Sequence, residues 1–368
     1  MTATAGQALQ PDRAQGYTAP PEGPMKRQFL QCLVDPDTQA RLAVHATKEV
    51  GDDLQEGELE GARRYQVREG IPSFVSESVK ADQTVKSFGD KWDQHRYYRE
   101  HTRRFYTEWY LARFGFGTID GLRSFLKEQR YVLDAGTGAG RDAANFADNS
   151  PDSQTVVFGA DTAWHALSNA AAQPDRPNVQ LVHADINRLP FPDGFFDFIN
   201  CDQVIHHTPD PRLTFENLKK KLRSGGQIAT YVYRKKAVIR EFTDDYIRDR
   251  IKDQSFEKAL EVCEAITKLG KAFSDLKVKV TLDEDIPILG IQKGTYDVQR
   301  FLHWNVFKCF WNDEFDFYTN NVVNADWYHP IYCFRYTPEE FREWFADGWE
   351  ILAWDEQEAG ISCRARKV

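Results

Sequence analysis

The residues able to do chemistry gather in two places. In "CDQVIHHTPDP" the adjacent imidazoles of His206 and His207 follow an apolar run that reads as a strand. Histidine titrates near neutrality, so either ring can take a proton from a reacting group, and His207 is the preferred general base. The plainer role, for one of the two, is a hydrogen bond to a ligand or a backbone carbonyl. A metal would need a third ligand from His303, His329 or a carboxylate, and no metal is expected. Further along, Tyr231 and Tyr233 alternate with Val232 and so share one face of a strand. Either can position a substrate, and Tyr233 joins the catalytic candidates. Arg234 and Lys235 come next, and Arg234 suits an anionic substrate group.

The second place is "YVLDAGTGAGRDAANFA", residues 131–147. An apolar run meets three alternate glycines and then turns helical, the layout of a nucleotide-binding loop. A dinucleotide site wants GxGxxG, but Gly136, Gly138 and Gly140 are spaced GxGxG, and Arg141 stands where the last glycine belongs. Asp134 also lies two residues before the first glycine, where its carboxylate would repel a pyrophosphate. It would favour a ligand bearing an ammonium and a sulfonium, and S-adenosylmethionine carries both without any phosphate. Asp161 ends the second strand, placed to accept from both ribose hydroxyls. Asp185 ends the third, placed to accept from the adenine amino group, with Ile186 packing on the ring. Thr137, Thr162, Asp202 and Gln203 complete the expected cofactor-binding set.

These side chains need a scaffold. From Tyr131 the apolar runs alternate with helical patterns: "YVLDAG", "TVVFGAD", "VQLVHADI", "FDFINCDQVI" and "GGQIATYVY" read as five strands. That alternation predicts an α/β fold, a Rossmann-like parallel sheet covered by helices on both faces. "WEILAWDEQEAGISCRARKV" reads as a closing antiparallel pair turned at 358–360. Ahead of it, "TPEEFREWFADG" carries a capping box, with Thr337 at the N-cap and Glu340 at N3. Residues 84–130 hold aromatics at helical spacing, with Phe105, Trp109 and Tyr110 on one stripe. Just before them, "SFGDKW" reads as a flap over a ligand. About a hundred residues separate the fifth strand from the capping box, too many for a loop. We read them as a cap: charged amphipathic helices first, then an aromatic-rich half. Its motif "NADWYHPIYCFRYT" gathers Asp326, Trp327, Tyr328, His329, Tyr332 and Arg335. Aromatic walls with polar tips line small-molecule pockets, and Trp327, Tyr328, His329 and Arg335 are the substrate-contact candidates.

The ordered set from Asp134 to Tyr233 resembles the class I S-adenosylmethionine-dependent methyltransferases, of the type-11 group that includes ubiquinone and menaquinone biosynthesis enzymes. The resemblance covers roughly residues 130–235 and the C-terminal strands. It implies a seven-stranded sheet, with the cofactor at the carboxyl ends of strands one to four. The methyl acceptor would lie at the ends of strands four and five, under the cap. In such enzymes "LHH" is common at the His206–His207 position, one histidine lining the cofactor pocket. Separately, residues 25–80 read as a small β-rich unit whose ending, "YQVREGIPSFV", is similar to the close of zinc-ribbon-like domains beside some RNA methyltransferases. Here "CLVDPDT" keeps one cysteine and no partner, so the unit has lost its metal ligands.

The divisions expected are a disordered leader (1–24), the β-rich unit (25–80), a helical lead-in and flap (81–130), the cofactor core (131–234), the cap (235–336) and the closing elements (337–368). A net charge of −9 weighs against nucleic-acid or anionic-membrane partners, which need a basic footprint. The six cysteines form no CxxC pair and read as reduced thiols. The leader has no apolar core of the signal-peptide kind, and the whole reads as a soluble cytoplasmic protein. The expected activity is methyl transfer to a small-molecule acceptor in a biosynthetic pathway, at oxygen or nitrogen before carbon. An RNA- or protein-modifying methyltransferase is the alternative.

Overall fold

The structure is a computed structural model that describes residues 26–51, 53–80, 82–94, 98–151, 154–173 and 176–368. The leader expected over 1–24 lies outside the described residues. After a one-turn helix α1 (Arg27–Leu30), strands β1 (Ala43–Val50), β2 (Asp53–Glu60), β3 (Arg64–Arg68) and β4 (Ile71–Pro72) form an antiparallel sheet in that order. Alternation in β3 buries Tyr65 and Val67 and exposes Arg64, Gln66 and Arg68.

Asp35 ties this unit together through four hydrogen bonds. Its Oδ1 accepts from the Asp37 and Thr38 N–H groups, both at 2.9 Å. Its Oδ2 accepts from the Ala62 N–H at 2.8 Å and the Tyr65 hydroxyl at 3.0 Å. Burial alone would raise the pKa of this carboxyl, but these donors outweigh it and hold it at about 2. Because the folded pKa is depressed, the stabilisation is present above pH ~4 and is lost as pH falls toward 2. Asp35→Ala should cost about 2 kcal/mol at pH 7, the scale of a lost charged hydrogen-bond acceptor, and less near pH 2, where the carboxyl is protonated. Urea unfolding at the two pH values checks this.

Next come α2 (Glu77–Lys80), α3 (Gln83–Gln94), α4 (Tyr98–Arg113) and α5 (Ile119–Leu126). The "SFGDKW" segment is part of α3, not a loop ahead of a helix. Of the aromatic stripe, Tyr110 is buried, whereas Phe105 stands 62% exposed.

The core then alternates β5 (Tyr131–Ala135), α6 (Arg141–Asn149), β6 (Val156–Asp161), α7 (Trp164–Ala171), β7 (Val179–His183), β8 (Phe196–Cys201), α8 (Pro211–Lys221) and β9 (Leu222–Arg234). The cap follows as α9 (Val238–Ile251), α10 (Phe256–Asp275), a hairpin of β10 (Lys279–Leu282) and β11 (Gly294–Asp297), α11 (Val298–Asn305) and α12 (Phe317–Tyr328). The hairpin is an element the sequence pattern did not reveal. Two-residue β12 (Arg335–Tyr336), α13 (Pro338–Arg342), β13 (Trp349–Glu356) and β14 (Gly360–Lys367) close the chain. The capping box forms at α13 as expected.

The central sheet runs β13-β14-β9-β8-β5-β6-β7, with β12 paired to β9. The five core strands are parallel, and β14 joins β9 antiparallel. It is the Rossmann-like α/β sheet the alternation predicted, enlarged by β12. Strand alternation feeds two apolar layers. Val132, Val157 and Phe198 face Tyr110, Leu122, Leu126 and Phe146 of α4, α5 and α6. Leu133, Val156 and Phe158 face the other way, and there Phe29, Leu33, Leu54 and Leu59 of the N-terminal unit share one core with Phe215 of α8 and Phe341. The chain order reverses between β5 and β8, which opens a crevice at their carboxyl ends.

Among the described residues no helix is long and apolar enough to cross a membrane. All six cysteines are buried and unbridged.

Candidate active site

A cavity of about 370 Å³ occupies that crevice. Its floor is the glycine loop after β5. Gly136 and Gly138 have φ of 76° and 52°, a backbone region that disfavours side chains. A Cβ on Gly136 would stand 2.5 Å from the Val204 methyls, so only glycine lets the loop approach the turn after β8 so closely. Asp134, 3% exposed, anchors the loop. Its Oδ2 accepts from the Thr137 hydroxyl (2.6 Å) and the Ala143 N–H (3.0 Å), and its Oδ1 from the Asn200 amide (2.8 Å). Three protein donors take up most of a carboxylate's acceptor capacity. The side chain therefore works first as the tie of the glycine loop, and its charge acts on a ligand across that loop. Burial, then the neighbouring Asp142 charge, pushes its pKa up to about 7.

Asp161 holds the loop from the other side, its Oδ2 accepting from Gly138 N–H and its Oδ1 from Ala163 N–H, both at 2.8 Å. Thr137, Thr162, Asp185, Ile186, Asp202 and Gln203 also line the cavity. Gly140 does not. With φ of 81° it is the N-cap of α6, a turning residue beside the lining. The Asp202 carboxylate is taken up within the protein as well: Arg113 grips both its oxygens, Nη1 to Oδ1 at 2.7 Å and Nη2 to Oδ2. Both side chains of that pair are 1% exposed. Ser362 accepts from the same guanidinium at 3.3 Å, and Trp109 lies 3.8 Å beneath it.

The end of the cavity under the cap is lined by His207, Tyr233, Asp326 and Tyr332 with Phe88 and Val85 of α3 and Tyr106 of α4. His207 Nδ1 lies 2.7 Å from the Tyr332 carbonyl. A carbonyl only accepts, so Nδ1 carries the proton and Nε2 is the basic nitrogen. Phe88 meets this ring edge-on at 5.0 Å. Burial, then the Asp326 charge, holds the Tyr233 phenol well above its ordinary pKa, so it stays a hydroxyl donor at neutral pH.

Seven other expected site residues lie outside the cavity lining. His206 is fully buried behind Tyr233, ring centroids 3.8 Å apart, with Nδ1 3.3 Å from the Tyr231 carbonyl. Burial holds it well below its ordinary pKa and therefore neutral. Tyr231 packs on Trp109 and Arg113. Trp327 and Tyr328 both donate to the Asp244 carboxylate inside the cap, at 2.7 and 2.9 Å. His329 is fixed between Ser87 (2.6 Å) and the Gln254 carbonyl (2.9 Å). Arg335 is paired with Glu241 and Asp245, and Arg234 is the seventh that stays outside. For Trp327 and Tyr328 the reason is helical phase: Asp326 of α12 lines the cavity, and the next two residues are turned about 100° and 200° away from it. Lining residues that sequence spacing did not mark include Thr84 and Val85; Phe88, Arg141 and Asp142 sat in motifs already noted but were not singled out as site residues.

The lining tests the cofactor by charge. Among the described residues it holds seven aspartates and one arginine, Arg141, which is itself paired with Asp142 at 2.9 Å. That is hostile to a pyrophosphate and suited to a cationic nucleoside. Asp134, Gly136, Gly138 and Asp161 would hold the amino-acid and ribose parts, and Asp185 with Ile186 the adenine. No group of three or more potential metal ligands occurs among the described residues.

A methyltransferase-domain family profile matches residues 133–230. "Uncharacterized methyltransferase YcgJ" of Bacillus subtilis strain 168 is 27% identical over 157 residues, 41% of this chain and 60% of that protein. The demethylmenaquinone methyltransferase of Staphylococcus saprophyticus is 39% identical over 73 residues, 20% of this chain and 31% of that enzyme. This chain thus spans less than two thirds of either relative. Among solved structures, the complex between the Haloferax volcanii Trm112 methyltransferase activator and its methyltransferase partner aligns at 15% identity. That alignment has a TM-score of 0.41 and covers 76% of this chain and 97% of the other. With the strand order, the glycine loop and its acidic partners in place, residues 133–230 are a class I S-adenosylmethionine-dependent methyltransferase domain.

Proposed function

We propose that the whole chain transfers a methyl group from S-adenosylmethionine to an oxygen or nitrogen of a small-molecule acceptor in a biosynthetic pathway. A carbon acceptor is compatible with the same arrangement. The observation that carries this reading is the continuity of one cavity, from Asp161 and Asp185 at the nucleoside end to His207, Tyr233 and Asp326 under the cap. Its volume falls within the range of about 300–1,000 Å³ usual for small-molecule sites.

When bound, the cofactor supplies an activated electrophilic methyl, so the protein's task is mostly alignment. Phe88, Tyr106, Tyr233 and Tyr332 would flank the acceptor and keep water out. Tyr233 would orient it through its hydroxyl. His207 Nε2 would take the proton that a phenol, alcohol or ammonium must lose. Arg234, expected from sequence to suit an anionic substrate group, and Arg335, expected to contact substrate, are not part of this arrangement.

Incubation with methyl-labelled S-adenosylmethionine and separate fractions of metabolites, bulk tRNA and protein tests the proposal. Label should enter the metabolite fraction with release of S-adenosylhomocysteine. Label in tRNA or protein instead would replace the small-molecule reading with the macromolecular one.

A further inference from the structure

The N-terminal unit does more than cover the sheet. Ser73, just beyond β4, bridges in parallel to His183 of β7, and the Phe74 N–H donates to the His183 carbonyl at 2.8 Å. The small sheet therefore continues the edge of the large one. This docking sets the Ser73 hydroxyl 2.7 Å from His183 Nδ1, and His183 Nε2 lies 3.0 Å from the Thr162 carbonyl. The directions of these bonds follow from chemistry. A carbonyl only accepts, so Nε2 carries the ring proton and donates it to Thr162. Nδ1 is then the lone-pair nitrogen, and the Ser73 hydroxyl donates to it. His183 is 3% exposed, and Trp164 stands edge-on to its ring at 5.3 Å.

The Thr162 carbonyl and the Ala163 N–H belong to one rigid peptide plane. Holding the carbonyl fixes the N–H, and that N–H is the donor that aims Asp161 Oδ1. Rotation of the plane would remove one of the backbone donors that position Asp161, whose other oxygen secures Gly138 of the glycine loop. We infer that the N-terminal unit sets cofactor affinity through the relay Ser73–His183–Thr162, with Ser73 and His183 as positioning residues for Asp161. The inference rests on the proposed role of Asp161 in the cofactor site.

The test is titration calorimetry of the full chain with S-adenosylhomocysteine, alongside thermal melting. His183→Leu should weaken binding about tenfold, the scale of one lost hydrogen bond and an unpaired carbonyl. His183→Gln can restore a donor toward Thr162 and should stay within about threefold of wild type. Ser73→Ala, which frees the tautomer, should fall between them. In turnover, the cofactor KM should rise while kcat at saturating cofactor is unchanged. Affinities equal to wild type in Ser73→Ala and in any His183 variant that folds, with only the melting temperature lowered, would make the bridge a structural contact and overturn the inference. A wild-type chain that takes up no S-adenosylhomocysteine would instead defeat the cofactor-site reading itself.

Discussion

His207→Ala is expected to slow methyl transfer by about 10²–10⁴-fold for any acceptor that must shed a proton, the usual contribution of a positioned base. Cofactor affinity should change little. The ring is placed by the Tyr332 carbonyl, which fixes the tautomer, and by the edge of Phe88. Nε2 is therefore the nitrogen that would act as the base in this proposal, on a ring that lines the cavity. Its neighbour makes the internal control. His206 stays neutral inside the protein, and His206→Gln should act only through the packing of Tyr233, with an effect far smaller than that at His207. Single-turnover rates at saturating cofactor decide the matter. Equal losses in the two variants would remove His207 as the base and leave a purely steric role.

Asp134→Ala should weaken S-adenosylmethionine binding by about a hundredfold, because it frees Thr137, Ala143 and Asn200 together and removes the charge that favours a cationic ligand. The pH dependence has a definite sign. With its pKa raised to about 7, this group is half protonated near neutrality in the cofactor-free chain, whereas a cation binds the carboxylate form. Affinity should therefore fall below pH 7, approaching tenfold per unit, and level off above pH 8. The sign for folding is opposite. The folded chain holds this proton more tightly than the unfolded one, so the group favours the fold at low pH and that contribution is lost as pH rises through 7. Calorimetry in wild type should show most of a proton released on binding at pH 6 and little at pH 8. A flat profile would mean that another carboxylate carries the charge.

Much of this was legible in the chain. The five strands and the carboxylates at their ends follow from period and position, because a strand's carboxyl end is fixed by where its apolar run stops. Asp161, Asp185 and the first two glycines line the cavity on that ground alone. The acceptor side was harder to read, since it depends on rotation about helices. "NADWYHP" contains one residue that reaches the cavity, Asp326, followed by two that build the cap interior around Asp244. Linear proximity could not separate them. Charge partners were equally invisible: nothing near Asp202 in sequence announces that Arg113, 89 residues earlier, occupies its carboxylate. The same holds for Arg335, whose pairing with α9 is made only when the cap closes on itself.

The Arg113 guanidinium joins positions that are synthesised far apart. It reaches Asp202 89 residues later and Ser362, in the last strand, 249 residues later. Until translation has delivered β14, the third partner of that guanidinium is missing and β9 has no neighbour on its outer side. Truncation ahead of β14 would thus leave Arg113 and β9 each short of a partner, although every residue that lines the cavity would still be present.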